Sequence, residues 1–209
     1  MGSYDWVAQE FWGEEGRPAV FTVFDLETTG LDPKKEKIVE IGAVKFDRRG
    51  PIGRFSVLVN PGVSMPAEAS RINGITDAML EGKPSLDLVL PDFLRFIGDT
   101  PIIAHNAPFD CSFIDAAQGS LLDAAADVPA EPPKWAPPFP ALPNRVIDTR
   151  IYAKEAFPGR WKYSLQELAK YLGIDALEAH RAEDDARVCM ELFVKCAERA
   201  AGKEVAVFA

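Results

Sequence analysis

Val20-Phe21-Thr22-Val23-Phe24-Asp25-Leu26-Glu27-Thr28-Thr29-Gly30 sets the fold expected of this chain. An apolar stretch, Val20 to Phe24, runs straight into two acids separated by one residue. Side chains of a strand alternate between faces, so Asp25, Glu27 and Val23 share one face at the strand's end. Neighbouring carboxylates in that position repel each other and lose hydration, a cost relieved by protonation or by a bound cation. A metal site is the sharper interpretation. The plainer one, a turn cap at Asp25 with Glu27 merely exposed, stands until other residues decide.

The 209 residues, 47% of them hydrophobic, suffice for one sizeable core with extensions. No apolar run approaches the length of a membrane span, and Met1 to Trp6 lack the basic flank and apolar stretch of a signal peptide. A cytoplasmic protein with no membrane partner is therefore expected. Cys111, Cys189 and Cys196 are odd in number and form no C-x-x-C pair, which argues against a disulfide framework and against zinc. The net charge of -9 argues against a broad basic face that coats long nucleic acid. A site that grips a few nucleotides remains compatible with it, because divalent cations among clustered carboxylates reverse the local field where a phosphate approaches.

Along the chain, Ser3 can cap a short helix in which Tyr4, Val7, Ala8, Phe11 and Trp12 form a one-sided apolar stripe. Residues 1–17 are expected to be an N-terminal extension that docks this stripe on the chain's own core; a contact with a partner or second copy is the alternative. The main domain is expected over 18–202, with a tail at 203–209. Extended segments at Val20 to Leu26, Lys37 to Phe46 and Arg54 to Val59 are joined by short turn-rich connections, the pattern of an antiparallel meander. Helical periodicity follows from Ser85 to Ile97, then a short buried strand at Pro101 to Ala104 leading into a helix. Another strand at Val146 to Asp148 precedes helices at Arg150 to Ala156, Ser164 to Leu172 and Arg181 to Ala201. The order predicts an α/β fold, a mixed sheet covered by helices. Seven prolines crowd the insertion at about 119–143, too many for regular structure. A solvated excursion is favoured there over a flap at the site.

Further acids join the first pair. In His105-Asn106-Ala107-Pro108-Phe109-Asp110 a strand hands over to a helix, with Pro108 suited to its first turn and Asp110 on it. In His180-Arg181-Ala182-Glu183-Asp184-Asp185-Ala186, steps of three and four give Ala182, Asp185, Cys189, Leu192 and Cys196, so Asp185 lies on an inward stripe. Asp184 is turned about 100° from it. The chain has two histidines, both inside these motifs. His105 fits a structural role. His180, one turn from an inward carboxylate, suits a general base.

D-x-E-T-T-G at Asp25 to Gly30, H-N-x-x-F-D at His105 to Asp110 and H-x-A-x-x-D-A at His180 to Ala186 resemble, in order, the three motifs of the DEDDh (DnaQ-like) 3'-5' exonucleases. Ile38 to Ala43, Gly74 to Asp77, and Phe157-Pro158-Gly159 ahead of Ser164-Leu165 add to a resemblance covering about residues 20–198. The resemblance implies an RNase H-like fold with a five-stranded mixed sheet, antiparallel first and then parallel, binding two Mg2+ or Mn2+ ions. It further implies that Asp25 bridges both ions and that Glu27 and Asp185 complete one metal site. Asp110 would support the other ion through water, and His180 would act as general base. Hard oxygen ligands agree with Mg2+ or Mn2+. The implied reaction is hydrolysis from the 3' end of nucleic acid, single-stranded DNA ahead of RNA, to nucleoside 5'-monophosphates.

Thr28, Thr29, Gly30 and Leu31 resemble the residues that hold the terminal nucleotide, with Asn106 orienting that end. Arg160-Trp161-Lys162-Tyr163 interleaves cations with aromatics, as suits phosphate contact by Arg160 and Lys162 and base stacking. A solvated loop with Trp161 packed underneath fits equally well. Asn73 stands where many polymerase proofreading relatives carry histidine. Only 24 residues follow Asp185, so a free-standing exonuclease is expected ahead of association with a DNA polymerase. An RNA-processing nuclease and a non-catalytic nucleic-acid-binding module are the alternatives.

Overall fold

A computed structural model describes residues 4–13, 19–126, 142–177 and 180–208. Its strands are β1 (Phe21–Thr28), β2 (Ile38–Asp47), β3 (Gly50–Leu58), β4 (Ile102–Ala104) and β5 (Val146–Asp148), in the spatial order β3-β2-β1-β4-β5. The helices are α1 (Asp5–Trp12), α2 (Ala67–Asn73), α3 (Asp77–Leu80), α4 (Leu86–Ile97), α5 (Pro108–Ala126), α6 (Thr149–Ala156), α7 (Leu165–Leu172) and α8 (Ala182–Ala200). β1, β2 and β3 pair antiparallel, whereas β4 joins β1 and β5 joins β4 in parallel. The expected five-stranded mixed sheet is what forms.

Alternation along β1 divides the core in two. Phe21 and Val23, with Val44 and Phe46 opposite them, face Val188, Cys189, Leu192, Phe193 and Cys196 of α8. Phe24 and Leu26, with Ala43 and Ile41, face Leu90, Phe93 and Ile97 of α4 and Phe113 and Ile114 of α5. α1 docks on the first of these layers through Val7 and Phe11. The Phe11 ring lies 5.8, 6.0 and 5.3 Å from those of Phe21, Phe46 and Phe193. Arg145 fastens the same helix, stacking on Trp6 at 4.4 Å and pairing with Glu10 at 2.6 Å. Ser3 lies outside the described residues.

Two local differences from expectation have simple causes. β3 starts at Gly50, paired with Asp47, because an edge strand tolerates Pro51 without losing a ladder bond. α2 and α3, of 7 and 4 residues, are too short to show a helical period. Of the Pro-rich insertion, residues 127–141 lie outside the described residues; α5 runs through its beginning to Ala126. The three cysteines are free, and burial raises all three thiols. No described helix is long and apolar enough to cross a membrane.

Candidate active site

The parallel strands β1, β4 and β5 end on one side of the sheet, where ligands of open α/β sheets gather. β1 ends in Asp25 and Glu27. β4 is followed by His105, Asn106 and the first turn of α5, which carries Asp110. The start of α8 closes over the same edge because Gly42, directly opposite Asp25, has no side chain: a Cβ there would lie 2.1 Å from the Ala182 carbonyl carbon. Any larger residue would hold α8, and with it Asp185, off the strands.

Glu27, His180 and Asp185 offer ligand atoms that all lie within 4.8 Å of one another. Asp185 is aimed by two donors: the Gln166 Nε2 reaches its Oδ1 at 3.0 Å, and the His180 backbone N–H reaches its Oδ2 at 3.0 Å. His180 is exposed and takes a positive φ of 66°, which turns its amide toward Asp185 just before the helix. Asp110, 3% exposed, accepts the amide of Leu26 at 3.1 Å, so the residue between the two β1 acids is the one that fixes the α5 acid.

Burial and mutual repulsion dominate the electrostatics. Burial, then the charges of Asp110, Asp185 and Glu27, pushes the Asp25 carboxyl well above the usual range. Burial, with Asp185 and Glu40 nearby, pushes Glu27 up to about 8. Burial also pushes Asp110 up to about 8, against the hydrogen bonds from its own and the Leu26 amide. Asp185 is raised by burial too, opposed by the donors from His180 and Gln166. A set of carboxylates that resists ionisation, with oxygen donors turned to one another, fits divalent cations, which supply the missing positive charge. A cavity of about 1080 Å³ between Lys34, Asn60, Lys83 and Phe113 is lined by none of these acids.

Residues 22–193 match the family RNase_T, Exonuclease. The chain belongs to this exonuclease family. It is 46% identical over 192 residues to the DNA polymerase III subunit epsilon of Treponema pallidum, covering 91% of this chain and 80% of that one. Similarity to the epsilon subunit of Aquifex aeolicus is 34% over 180 residues, with 85% and 80% covered. The PolC-type DNA polymerase III of Clostridium perfringens is 37% identical over 179 residues, 86% of this chain but 11% of that protein. Among solved structures, exonuclease X in complex with 5' overhanging duplex DNA superposes with a TM-score of 0.64 at 26% identity, covering 88% of this chain and 95% of that one.

Around the carboxylates of this exonuclease-family chain, the residues named for substrate contact are placed unequally. Thr28 and Thr29 are buried, and their hydroxyls bond the Gly30 carbonyl at 2.6 Å and Glu36 at 2.5 Å, so they shape the β1–β2 loop from within. Gly30 packs on Glu36, which a Cβ would meet at 2.8 Å. Leu31 stands out at 83% exposure. Asn106 is exposed at φ 68°; its amide donates to Asp148 at 3.1 Å, and its side-chain oxygen accepts from Arg150 at 3.2 Å. The Arg160 guanidinium lies 3.5 Å from the centre of the Tyr171 ring, whereas Lys162 is exposed. Trp161 is 97% exposed, which overturns packing underneath its loop.

Four supporting residues take roles that inspection of the motifs does not assign. Glu40, 1% exposed and opposite Glu27 in the sheet, is paired with Arg181 at 2.7 Å, which relieves a like-charge cross-strand pair. An acid inside the apolar run Ile38 to Ala43 was the signal, but its partner lies 141 positions away. Gln166 aims Asp185. Asn73, 4% exposed, donates its Nδ2 to the Thr28 carbonyl at 3.4 Å, and its amide beside Glu27 works against the rise that burial imposes there. Asp148 caps α6 through the Arg150 amide at 2.8 Å and holds Asn106. His105 is structural: its Nε2 meets the Tyr163 carbonyl at 2.9 Å, so that nitrogen carries the proton, and its Nδ1 meets Thr149 Oγ1 at 3.0 Å.

Proposed function

We propose that the chain, through a domain at residues 18–202, is a cytoplasmic metal-dependent 3'-5' exonuclease. It would act on single-stranded DNA and release nucleoside 5'-monophosphates. The observation that carries this is the tight approach of Glu27, His180 and Asp185, with Asp25 and Asp110 in the same field. Asp25, Glu27, Asp110 and Asp185 would hold two divalent cations, Mg2+ or Mn2+. Such ions, when bound, lower the pKa of water and stabilise charge on a leaving oxygen.

The chain's own residues supply the rest. His180 is exposed and next to the acids, so its ring can accept the proton of the attacking water. Attack at phosphorus breaks the bond to the 3' oxygen of the penultimate nucleotide; that oxygen takes up a proton, and the terminal nucleotide leaves as a 5'-monophosphate. Leu31 and Asn106, on the loops that follow β1 and β4, would meet the terminal nucleotide, while Lys162 would meet a phosphate. Arg160, stacked on Tyr171, would stiffen its loop and contact phosphate only from that position.

DNA is favoured over RNA by similarity to DNA polymerase III subunits from two bacteria across 80% of their length. The same similarity favours association with a replicative polymerase over a free-standing enzyme. The test is 3'-labelled single-stranded DNA, duplex DNA, RNA and dinucleotides, each with Mg2+, Mn2+ or chelator. Preferential release of labelled monophosphate from single-stranded DNA is expected; preference for RNA would move the assignment to an exoribonuclease, and release from none would leave a binding module.

A further inference from the structure

We infer that Trp161 is a stacking platform for a base of the bound strand near its 3' end. The indole is 97% exposed, yet the loop that carries it, between α6 and α7, is fastened at Phe157, Arg160 and Tyr163. His105 Nε2 holds the Tyr163 carbonyl at 2.9 Å, the Tyr163 hydroxyl donates to the Phe157 carbonyl at 2.8 Å, and the Arg160 amide donates to that same hydroxyl at 3.2 Å. The Arg160 guanidinium sits over the Tyr171 ring, 3.5 Å from its centre. The backbone beneath the indole is thus ordered before any ligand arrives, which removes part of the entropy loss on binding.

Both ends of this loop are joined to the site. His105 directly precedes Asn106 at the end of β4, and Gln166, five residues after Trp161, donates to Asp185. Five extended residues span at most about 18 Å, so the backbone of Trp161 lies within that reach of Gln166, the residue that aims Asp185. The neighbouring exposed Lys162 adds a cation suited to a phosphate. A planar apolar face beside a cation, next to a site that takes single strands, matches base stacking with backbone contact, a mode indifferent to sequence because every base has a π-face.

The inference rests on the exonuclease reading, and its test separates the two. Anisotropy of a 5'-fluorescein-labelled single-stranded 12-mer would be measured with the full chain in the inactive Asp25→Ala background, with Mg2+. Trp161, Trp161→Ala and Trp161→Phe would be compared on the intact oligonucleotide and on versions with one abasic site at each 3'-proximal position. Loss of an exposed side chain leaves the Tm unchanged, so folding is controlled. Trp161→Ala is expected to weaken binding of the intact strand about 5- to 150-fold, and Trp161→Phe to retain most of it. At one abasic position the Trp161 and Trp161→Ala forms should bind equally. Equal binding of the intact strand, or a loss of the same size on every abasic strand, overturns the platform. Hydrolysis by the unmutated chain is scored in parallel: turnover without abasic coupling removes the platform alone, and absence of turnover removes the exonuclease reading beneath it.

Discussion

Arg181 closes on Glu40 with its Nη2 2.7 Å from Oε1 and its Nε 3.1 Å from Oε2, and the Ala182 amide adds a third bond to Oε2 at 3.1 Å. This clamp ties the start of α8 to β2 between His180 and Asp185 on one side and Glu27 on the other. Arg181→Ala strands a buried carboxylate, so a loss of about 3 kcal/mol is expected, the low end for a broken buried pair because the Arg181 side chain is 35% exposed. Misplacement of His180 and Asp185 should lower kcat about 10- to 100-fold with little change in KM. A lowered Tm with kcat unchanged would show the clamp to be purely structural.

Gly42 tests the same placement from the strand. Gly42→Ala puts a methyl group into the backbone of Ala182 and Glu183, and the helix start has to move. Overpacking of about 1–3 kcal/mol is expected in the Tm, together with weaker metal binding by calorimetry. Full metal affinity in this variant would contradict the close approach.

Titration of the metal-free protein gives a signed prediction. Glu27 and Asp110 are pushed up to about 8 in the fold, far above the unfolded range near 4. The folded chain therefore holds protons that the unfolded chain releases. The stability linked to these groups is fully present below about pH 4 and is lost as pH rises through about 8. In chelator, Tm should fall between about pH 5 and 8, and added Mg2+ or Mn2+ should raise it more at the upper end. A flat profile, indifferent to metal, would count against a cation site.

His180→Ala keeps the backbone N–H that aims Asp185 and removes only the ring. A kcat loss of about 10²- to 10⁴-fold with an unchanged Tm is expected from loss of a general base. Gln166→Ala removes the other donor to Asp185, and a smaller loss of about 10- to 100-fold is expected. If His180→Ala turned over at the rate of the unmutated chain, the base would have to be sought elsewhere.

Asp25 and Glu27 were legible because strand alternation alone puts them on one face, and Asp185 because the helical repeat puts it on the buried stripe. A meander followed by alternating strands and helices was legible from short turns first and longer crossovers later, whereas the spatial order β3-β2-β1-β4-β5 was not. Glu40 and Arg181 were not legible as a pair, since nothing local links residues 141 positions apart. Gln166, on the polar edge of α7, looks like any solvated glutamine until α8 is packed beside it. The engagement of the Thr28 and Thr29 hydroxyls within their own loop was not legible either, being a matter of backbone curvature that pattern does not encode.

The central claim is that Asp25 and its neighbours hold metal for hydrolysis at a 3' end. Its most direct measurement is release of label from 3'-end-labelled single-stranded DNA by the unmutated chain and by Asp25→Ala, with Mg2+ or Mn2+ and with chelator. The predicted result is labelled nucleoside 5'-monophosphate from the first turnover, abolished by chelator and reduced at least about 10³-fold in Asp25→Ala while its fold persists. Label retained by the oligonucleotide, or equal release by Asp25→Ala, would contradict the assignment.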